Sequence, residues 1–201
     1  MTISPGWVLI LAAGCAGGQR PNTTEYPTVL SAPSTHPGNF IRRQKLVLSF
    51  RGQTHGLDAV LQKRGNELVL VGLTPFGTRA FVLTQTGLEV RFQAYQGTAA
   101  PFPPRYMLDD VSRTYFAGIG DAPLEDGPHR ITRDGELIEE RWKDGRLLQR
   151  RFQRLAGDPP GEIVITYVGG MAGTVSPALI ELDNGWLGYR LSVTTLSEEA
   201  L

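Results

Sequence analysis

Asp109 and Asp110, the histidines His36, His55 and His129, and a single cysteine, Cys15, are the residues of this 201-residue chain whose types first suggest chemistry. Adjacent carboxylates can divide acid and base work. Neighbours on a helix point in different directions, however, so at least one of the two is expected in solvent and neither is given a catalytic role. His55 and His129 have no Cys, Glu or second His at metal-ligand spacing, and His36 sits in a stretch read as inert linker. The glycine-rich "GGMAG" at 169–173 lacks the Lys-Ser/Thr ending of a phosphate loop and reads as a mobile turn. No G-x-S-x-G nucleophile signature occurs. The chain is therefore read as a non-enzyme, with no catalytic residue, no metal site and no cofactor.

Arg146, Arg150, Arg151 and Arg154 could form a nucleic-acid patch. Lys plus Arg balances Asp plus Glu at 20 each, which removes the long-range field such a binder uses. Folding about Asp134-Gly135 and Asp144-Gly145 as two-residue hairpin loops aligns Arg130, Glu139 and Arg150 across three strands and sets Arg133 opposite Glu136. The arginines are accordingly expected on a solvated charge ladder, and no nucleic-acid partner is assigned.

Cys15 follows the apolar run "WVLILAAG", which is about half the ~20 residues a membrane-spanning helix needs but has the length of a signal-peptide core. Leu11-Ala12-Ala13-Gly14-Cys15 resembles the lipobox of bacterial lipoproteins, in which the cysteine is acylated and becomes the new N-terminus. It departs from that pattern in having no Lys or Arg before the apolar run and alanine at position 12. Residues 1–15 are then a lipoprotein signal peptide, and Ala16 after the cysteine implies, by resemblance to enterobacterial sorting, a protein anchored in the outer membrane and facing the periplasm. The alternative is that Cys15 is a small buried hydrophobe. Residues 16–39, rich in Pro, Thr, Ser, Gly and Asn without periodicity, read as a flexible tether.

The elements that would position any site lie in residues 40–201. Gly and Pro, at 24 and 14, punctuate short apolar segments, as in an all-β protein. Strands are expected at 44–52, 54–64, 67–74, 78–85, 88–96, 128–133, 136–143, 146–155, 162–168, 178–183 and 186–195. These form an antiparallel meander of about eleven strands. Gly65-Asn66 as a loop pairs Arg64 with Glu67, Thr86-Gly87 pairs Phe81 with Phe92, and Asn184-Gly185 pairs Leu182 with Leu187 and Ile180 with Tyr189. Pro103-Pro104 followed by Met107, Val111 and Tyr115 at four-residue spacing predicts one helix over 104–116 that crosses a face of the sheet.

Three stretches, "LVLVGLTPFGTRAFVLT" at 68–84, "PPRYMLDDV" at 103–111 and "GWLGYRLSV" at 185–193, resemble a family of uncharacterised bacterial lipoproteins often encoded beside aryl-polyene biosynthesis genes, and through it the LolA/LolB-like half-barrels. The resemblance covers most of residues 40–196. It implies a mainly β, unclosed barrel whose concave face, partly covered by the helix, takes an acyl chain or a polyene-linked lipid. Phe81, Val90, Phe92, Met107, Val111, Tyr115, Ile180 and Tyr189 are the expected lining. Strands such as "ELVLVGL" are apolar on both faces, so one face of a single-layer sheet must be covered by ligand, by helix, or by a collapsed core. An adaptor lipoprotein with no ligand stays open beside the carrier. A ketosteroid-isomerase-like enzyme, to be recognised by a buried carboxylate with a raised pKa in the cavity, stands behind both. Neither an oligomeric state nor a protein partner follows from the sequence.

Overall fold

The computed structural model describes residues 30–95, 103–120, 123–156 and 160–201. Cys15, the signal peptide and most of the tether lie outside the described residues. The chain forms one antiparallel sheet of eleven strands: β1 (Phe40–Phe50), β2 (Gln53–Arg64), β3 (Glu67–Leu73), β4 (Arg79–Thr86), β5 (Glu89–Ala94), β6 (Gly127–Arg133), β7 (Glu136–Lys143), β8 (Arg146–Arg154), β9 (Glu162–Met171), β10 (Leu179–Asn184) and β11 (Tyr189–Ala200). Among the described residues the one α-helix, α1 (Pro104–Tyr115), lies between β5 and β6 in sequence, and a 3-10 turn covers Pro33–Thr35.

The spatial order β5-β4-β3-β2-β1-β11-β10-β9-β8-β7-β6 puts the first and last strands side by side in the middle. Two meanders, β1 to β5 and β6 to β11, are thus stitched together by the β1–β11 ladder. The strands that α1 joins, β5 and β6, are the two sheet edges, and among the described residues no ladder connects them. The connection has to run from one edge to the other, and Met107, Val111 and Tyr115, which line one space with inward residues of β1, β4 and β11, place α1 over the concave face. Edge β6 is guarded by Pro128 and by exposed Arg130 and Arg133, and edge β5 by exposed Glu89 and Arg91.

Alternation within strands fills the concave side. On β1 the even positions from Phe40 to Phe50 point inward while Arg43, Lys45, Val47 and Ser49 are exposed. On β3, Leu68, Leu70 and Gly72 are buried. Three hairpins follow their turn chemistry as expected: Gly65-Asn66 pairs Arg64 with Glu67, Asp134-Gly135 pairs Arg133 with Glu136, and Asp144-Gly145 pairs Lys143 with Arg146. Both residues of each Asp-Gly loop have positive φ, the conformation that a type I′ turn demands.

Other expectations are corrected. The β4–β5 loop is Gly87-Leu88 rather than Thr86-Gly87, so Leu83 faces Phe92 and Phe81 faces Ala94. Only Gly87 of that pair has positive φ, as a II′ turn requires. The β10–β11 loop is four residues, 185–188, which pairs Leu182 with Leu191 and Ile180 with Val193. Both shifts are even, so inward residues stay inward. The shift between β7 and β8 is odd: a bulge at Leu148 turns Arg150 inward and pairs it with Glu140, which β7's own alternation points inward, rather than with Glu139. The outer ladder is instead Arg130, Glu139 and Arg151, with Nε of Arg130 2.5 Å and Nη1 of Arg151 3.5 Å from the Glu139 carboxylate. Segment 169–173 is no free turn, because β9 runs through Gly169 and Gly170 to Met171, which is buried. Residues 30–39 are not linker either. Leu30 and Pro33 are buried, Gln85 Nε2 donates to the Ser31 carbonyl at 2.8 Å, and the His36 ring stacks on Phe116 at 4.2 Å.

Candidate ligand cavity

Helix α1 starts where Pro104 occupies its first turn, a position that needs no N–H donor, and ends where the Phe116 N–H bonds back to the Ser112 carbonyl. It lies against the concave side of the sheet and presents two chemically different faces.

Toward the half of the sheet formed by β1 to β5, β10 and β11, α1 leaves a cavity of about 690 Å³, within the range of known small-molecule sites. Of the lining expected from sequence, Phe81, Phe92, Met107, Val111, Tyr115, Ile180 and Tyr189 border this space. Val90 does not; it sits near the β4–β5 turn and packs on the core. Sequence reading missed the β1 and β2 contribution of Leu46, Leu48, Phe50 and Leu57, and the leucines Leu182 and Leu191. The alternation of "QKLVLSF" was the signal that could have found the β1 set.

The register orders the cavity into rows. Phe50 lies between Gln53 and Tyr189, Leu48 between His55 and Leu191, and Leu46 between Leu57 and Val193. From Phe50 down to Gln44 is six residues of strand, about 20 Å at ~3.3 Å per residue. At the Phe50 end the lining residues Arg51, Gln53 and His55 are exposed, and this is the mouth. At the other end Gln44 Nε2 donates to the Tyr115 hydroxyl at 2.7 Å, and the Arg42 guanidinium sits 4.4 Å over the Tyr115 ring. Gly72 shapes the side wall: a Cβ there would meet the Phe81 ring at 2.3 Å, so its bare Cα is what lets Phe81 lie flat on β3. Phe81 in turn packs on Phe92 at 5.8 Å between ring centroids.

Toward β7, β8 and β9 the same helix is pinned by charge. Arg113 Nε donates to Asp109 at 2.8 Å, and its two terminal nitrogens make a bidentate pair with Glu136 at 2.7 and 3.0 Å. Its guanidinium also lies over Phe152 at 4.6 Å and Trp186 at 4.9 Å. Arg150 donates to Glu140 at 2.7 Å and to the Arg113 carbonyl at the same distance, and Tyr167 donates to the Thr114 carbonyl at 2.6 Å. Trp142 Nε1 donates to the other Glu140 oxygen at 2.8 Å. Asp109, Arg113, Glu136, Glu140 and Arg150 are all buried.

Both aspartates are thus buried, contrary to the expectation that one would reach solvent. They point to different sides of the helix. Asp109 belongs to the charged side, where burial raises its pKa and Arg113 opposes the rise. Asp110 borders the cavity, accepts from the Tyr189 hydroxyl, and accepts from Asn184 Nδ2 at 3.2 and 3.3 Å. Burial, reinforced by the neighbouring Asp109 charge, holds its carboxyl well above the usual carboxylate range. Asn184, expected as a turn residue, is a site residue: its Oδ1 accepts from the Leu187 N–H at 2.9 Å to close the four-residue loop, while its amide serves Asp110.

Asp110 is the raised-pKa carboxylate that would mark a proton-transfer enzyme. Tyr189 is bonded to the acid itself, and the basic side chains among the described lining residues, Arg51 and His55, stand exposed at the mouth. Among the described residues no group of three or more His, Cys, Asp or Glu side chains could hold a metal ion, and no helix is long and apolar enough to cross a membrane.

Comparison with solved structures finds a LolA superfamily protein from Nitrosomonas europaea, 10% identical with a TM-score of 0.45, covering 84% of this chain and 89% of the other. A DUF1329 family protein from Desulfovibrio piger is 11% identical with a TM-score of 0.42, covering 81% and 85%. Likeness at this level does not extend to ligand or activity. No curated protein sequence matches the chain. The sequence does match a protein family over residues 42–197, from β1 to β11 and across the whole cavity, and the chain belongs to that family, described as proteins of unknown function (DUF3261).

Proposed function

We propose that this protein is a lipoprotein of the bacterial envelope, anchored through Cys15 in the outer membrane and facing the periplasm, that binds or accepts an apolar ligand without catalysis. A lipoprotein acyl chain or a polyene-linked lipid, the ligands implied by the resemblance noted from sequence, suits the space. The observation that carries the reading is the cavity of about 690 Å³ beneath α1, lined mainly by apolar side chains and open at the β1–β2 hairpin. A void of that size lined by leucine and phenylalanine forfeits packing that a collapsed core would gain, and an apolar occupant restores it. Phe76, 93% exposed in the β3–β4 turn at the same end of the sheet as the mouth, supports exchange of that occupant at an apolar surface.

The test is mass spectrometry of organic extracts from the purified chain, together with fluorescence titration of the empty protein with N-phenyl-1-naphthylamine. Stoichiometric lipid, or saturable probe binding displaced by lipid, is expected. Absence of both would leave an adaptor lipoprotein with no ligand.

A further inference from the structure

Asp110 is an anomaly in its setting. A polar group in an apolar wall is costly unless hydrogen-bonded, and a carboxyl more so. The cavity is otherwise closed in by Val111, Leu182 and Leu191 nearby, and an apolar residue at 110 would serve mere burial better. The chain instead brings two further polar side chains to the same point from other elements: Tyr189 at the start of β11 and Asn184 at the end of β10, which face each other in the ladder. Both are buried, and both donate to the Asp110 carboxyl.

We propose that Asp110, Tyr189 and Asn184 form a hydrogen-bonding seat just inside the mouth that holds the uncharged polar group of an amphipathic ligand, an ester or amide carbonyl or a hydroxyl. The ligand's chain runs from there down the rows of Leu48 and Leu46. The inference rests on the ligand-binding reading above and specifies the ligand's chemistry.

Three observations carry it. First, position: Tyr189 shares a row with Phe50 and Gln53 at the rim, so the seat lies at the upper end of a channel about 20 Å long. A head at the seat leaves that length for a chain. Second, valence: the hydrogen bonds from Tyr189 and Asn184 both use Asp110 as acceptor, and burial pushes the carboxyl toward its protonated form, whose O–H is left for a third group on the cavity side that it borders. Third, charge: the Arg113 guanidinium, one helical turn from Asp110 and close enough to oppose the rise in its pKa, gives its hydrogen bonds to Asp109 and Glu136. Tyr189 borders the cavity beside Asp110, Asn184 reaches Asp110 without lining the cavity, and Arg51 and His55 stand out at the mouth. Among the described residues no cation is hydrogen-bonded to the seat to hold an anionic head, and burial disfavours the carboxylate that a cationic head would need.

The test uses the full chain and a 12-carbon series: dodecane, methyl laurate, 1-monolaurin, lauric acid and dodecylamine, each below its aggregation limit, displacing N-phenyl-1-naphthylamine. Methyl laurate and monolaurin should bind wild type about three- to tenfold more tightly than dodecane, the worth of one neutral hydrogen bond. Asp110→Asn, which keeps a neutral hydrogen-bonding group, should retain that preference. Asp110→Leu should lose it while still binding dodecane, which also reports that the variant is folded. Should Asp110→Leu not fold, the wild-type series and Asp110→Asn decide alone. Equal affinity for dodecane and methyl laurate, a preference that survives in Asp110→Leu, or dodecylamine binding tightest and collapsing in Asp110→Asn would each overturn the proposal with ligand binding intact. Failure of every probe to bind wild type would instead reject the ligand-binding reading itself, and the seat with it.

Discussion

Replacing Arg113 by methionine tests how α1 is held. The substitution nearly preserves side-chain length and removes one charge from a site where Arg113, Asp109 and Glu136 have side chains 5%, 3% and 9% exposed. Two carboxylates are then left in the interior facing a thioether. Breaking a buried pair in this way costs roughly 3 to 5 kcal/mol, because the remaining charge has neither water nor partner. Against a typical total of about 5 to 15 kcal/mol that is a large fraction, and at the ~2 to 4 °C per kcal/mol expected for a chain of this size it lowers Tm by about 6 to 20 °C. Thermal and urea unfolding at pH 7 measure it. The loss should shrink as pH falls, since protonating Asp109, whose pKa burial already raises, removes part of the stranded charge. Replacing the three together (Asp109→Leu, Arg113→Met, Glu136→Met) should restore most of the stability, because no charge then remains to be buried. A loss under about 1 kcal/mol in the single variant, or a triple variant no more stable than the single, would refute the claim that these charges work as one buried unit.

Other outcomes are expected. Val111→Trp should fill the cavity and abolish N-phenyl-1-naphthylamine binding while costing under about 1 kcal/mol; a loss of 1 to 3 kcal/mol would mean that residue 111 faces a packed core. Asp110→Asn should change the pH dependence of stability: the folded state holds the Asp110 proton more tightly than the unfolded chain, so wild type loses stability as pH rises from the ordinary value of 3.8 toward the raised one, by up to about 1.4 kcal/mol per pH unit. The variant lacks that slope and should gain on wild type with rising pH, as parallel urea titrations at pH 4 and 8 would show. Cys15→Ser should leave an unprocessed precursor that takes up no labelled palmitate, and equal labelling of both proteins would dispose of the lipid anchor.

The sheet was legible wherever a two-residue loop with the right glycine joined two alternating strands, because the turn type then sets the register. It was misread where a turn residue had other work. Asn184 beside Gly185 has the composition of a hairpin loop, yet its side chain is spent on the Leu187 N–H and on Asp110, and the loop is two residues longer. The charged half of the site was hidden for a related reason. "RLLQRRFQRL" alternates too weakly to reveal the bulge at Leu148, and Glu and Arg are ordinarily solvent-facing, so a ladder on the outer surface was the natural inference for Arg150. One extra residue on β8 moved that arginine from the surface to the interior. The apolar half was easier to see, since Met107, Val111 and Tyr115 follow a helical period and Phe81 and Phe92 lie on the inward face of neighbouring strands.

The two faces of α1 depend on each other. A helix held only by apolar contacts would gain by sliding toward β1 and β2 until the cavity closed, because every ångström of approach buries more leucine and phenylalanine. The bidentate Arg113–Glu136 pair and the Arg150 bond to the Arg113 carbonyl oppose that motion, since a displacement of about 1 Å stretches charge-assisted hydrogen bonds past their working length with no water to replace them. Charge on one side of the helix thereby keeps space open on the other. The triple variant separates this role from stability: with its charges replaced by hydrocarbon it should unfold near the wild-type temperature yet bind N-phenyl-1-naphthylamine more weakly than wild type, because only the Arg150 and Tyr167 bonds to the Arg113 and Thr114 carbonyls then hold the helix away from the sheet. If it keeps both wild-type stability and wild-type probe affinity, the cavity is held open by the backbone and the β5–α1–β6 crossing alone, and the buried charges do not shape the site.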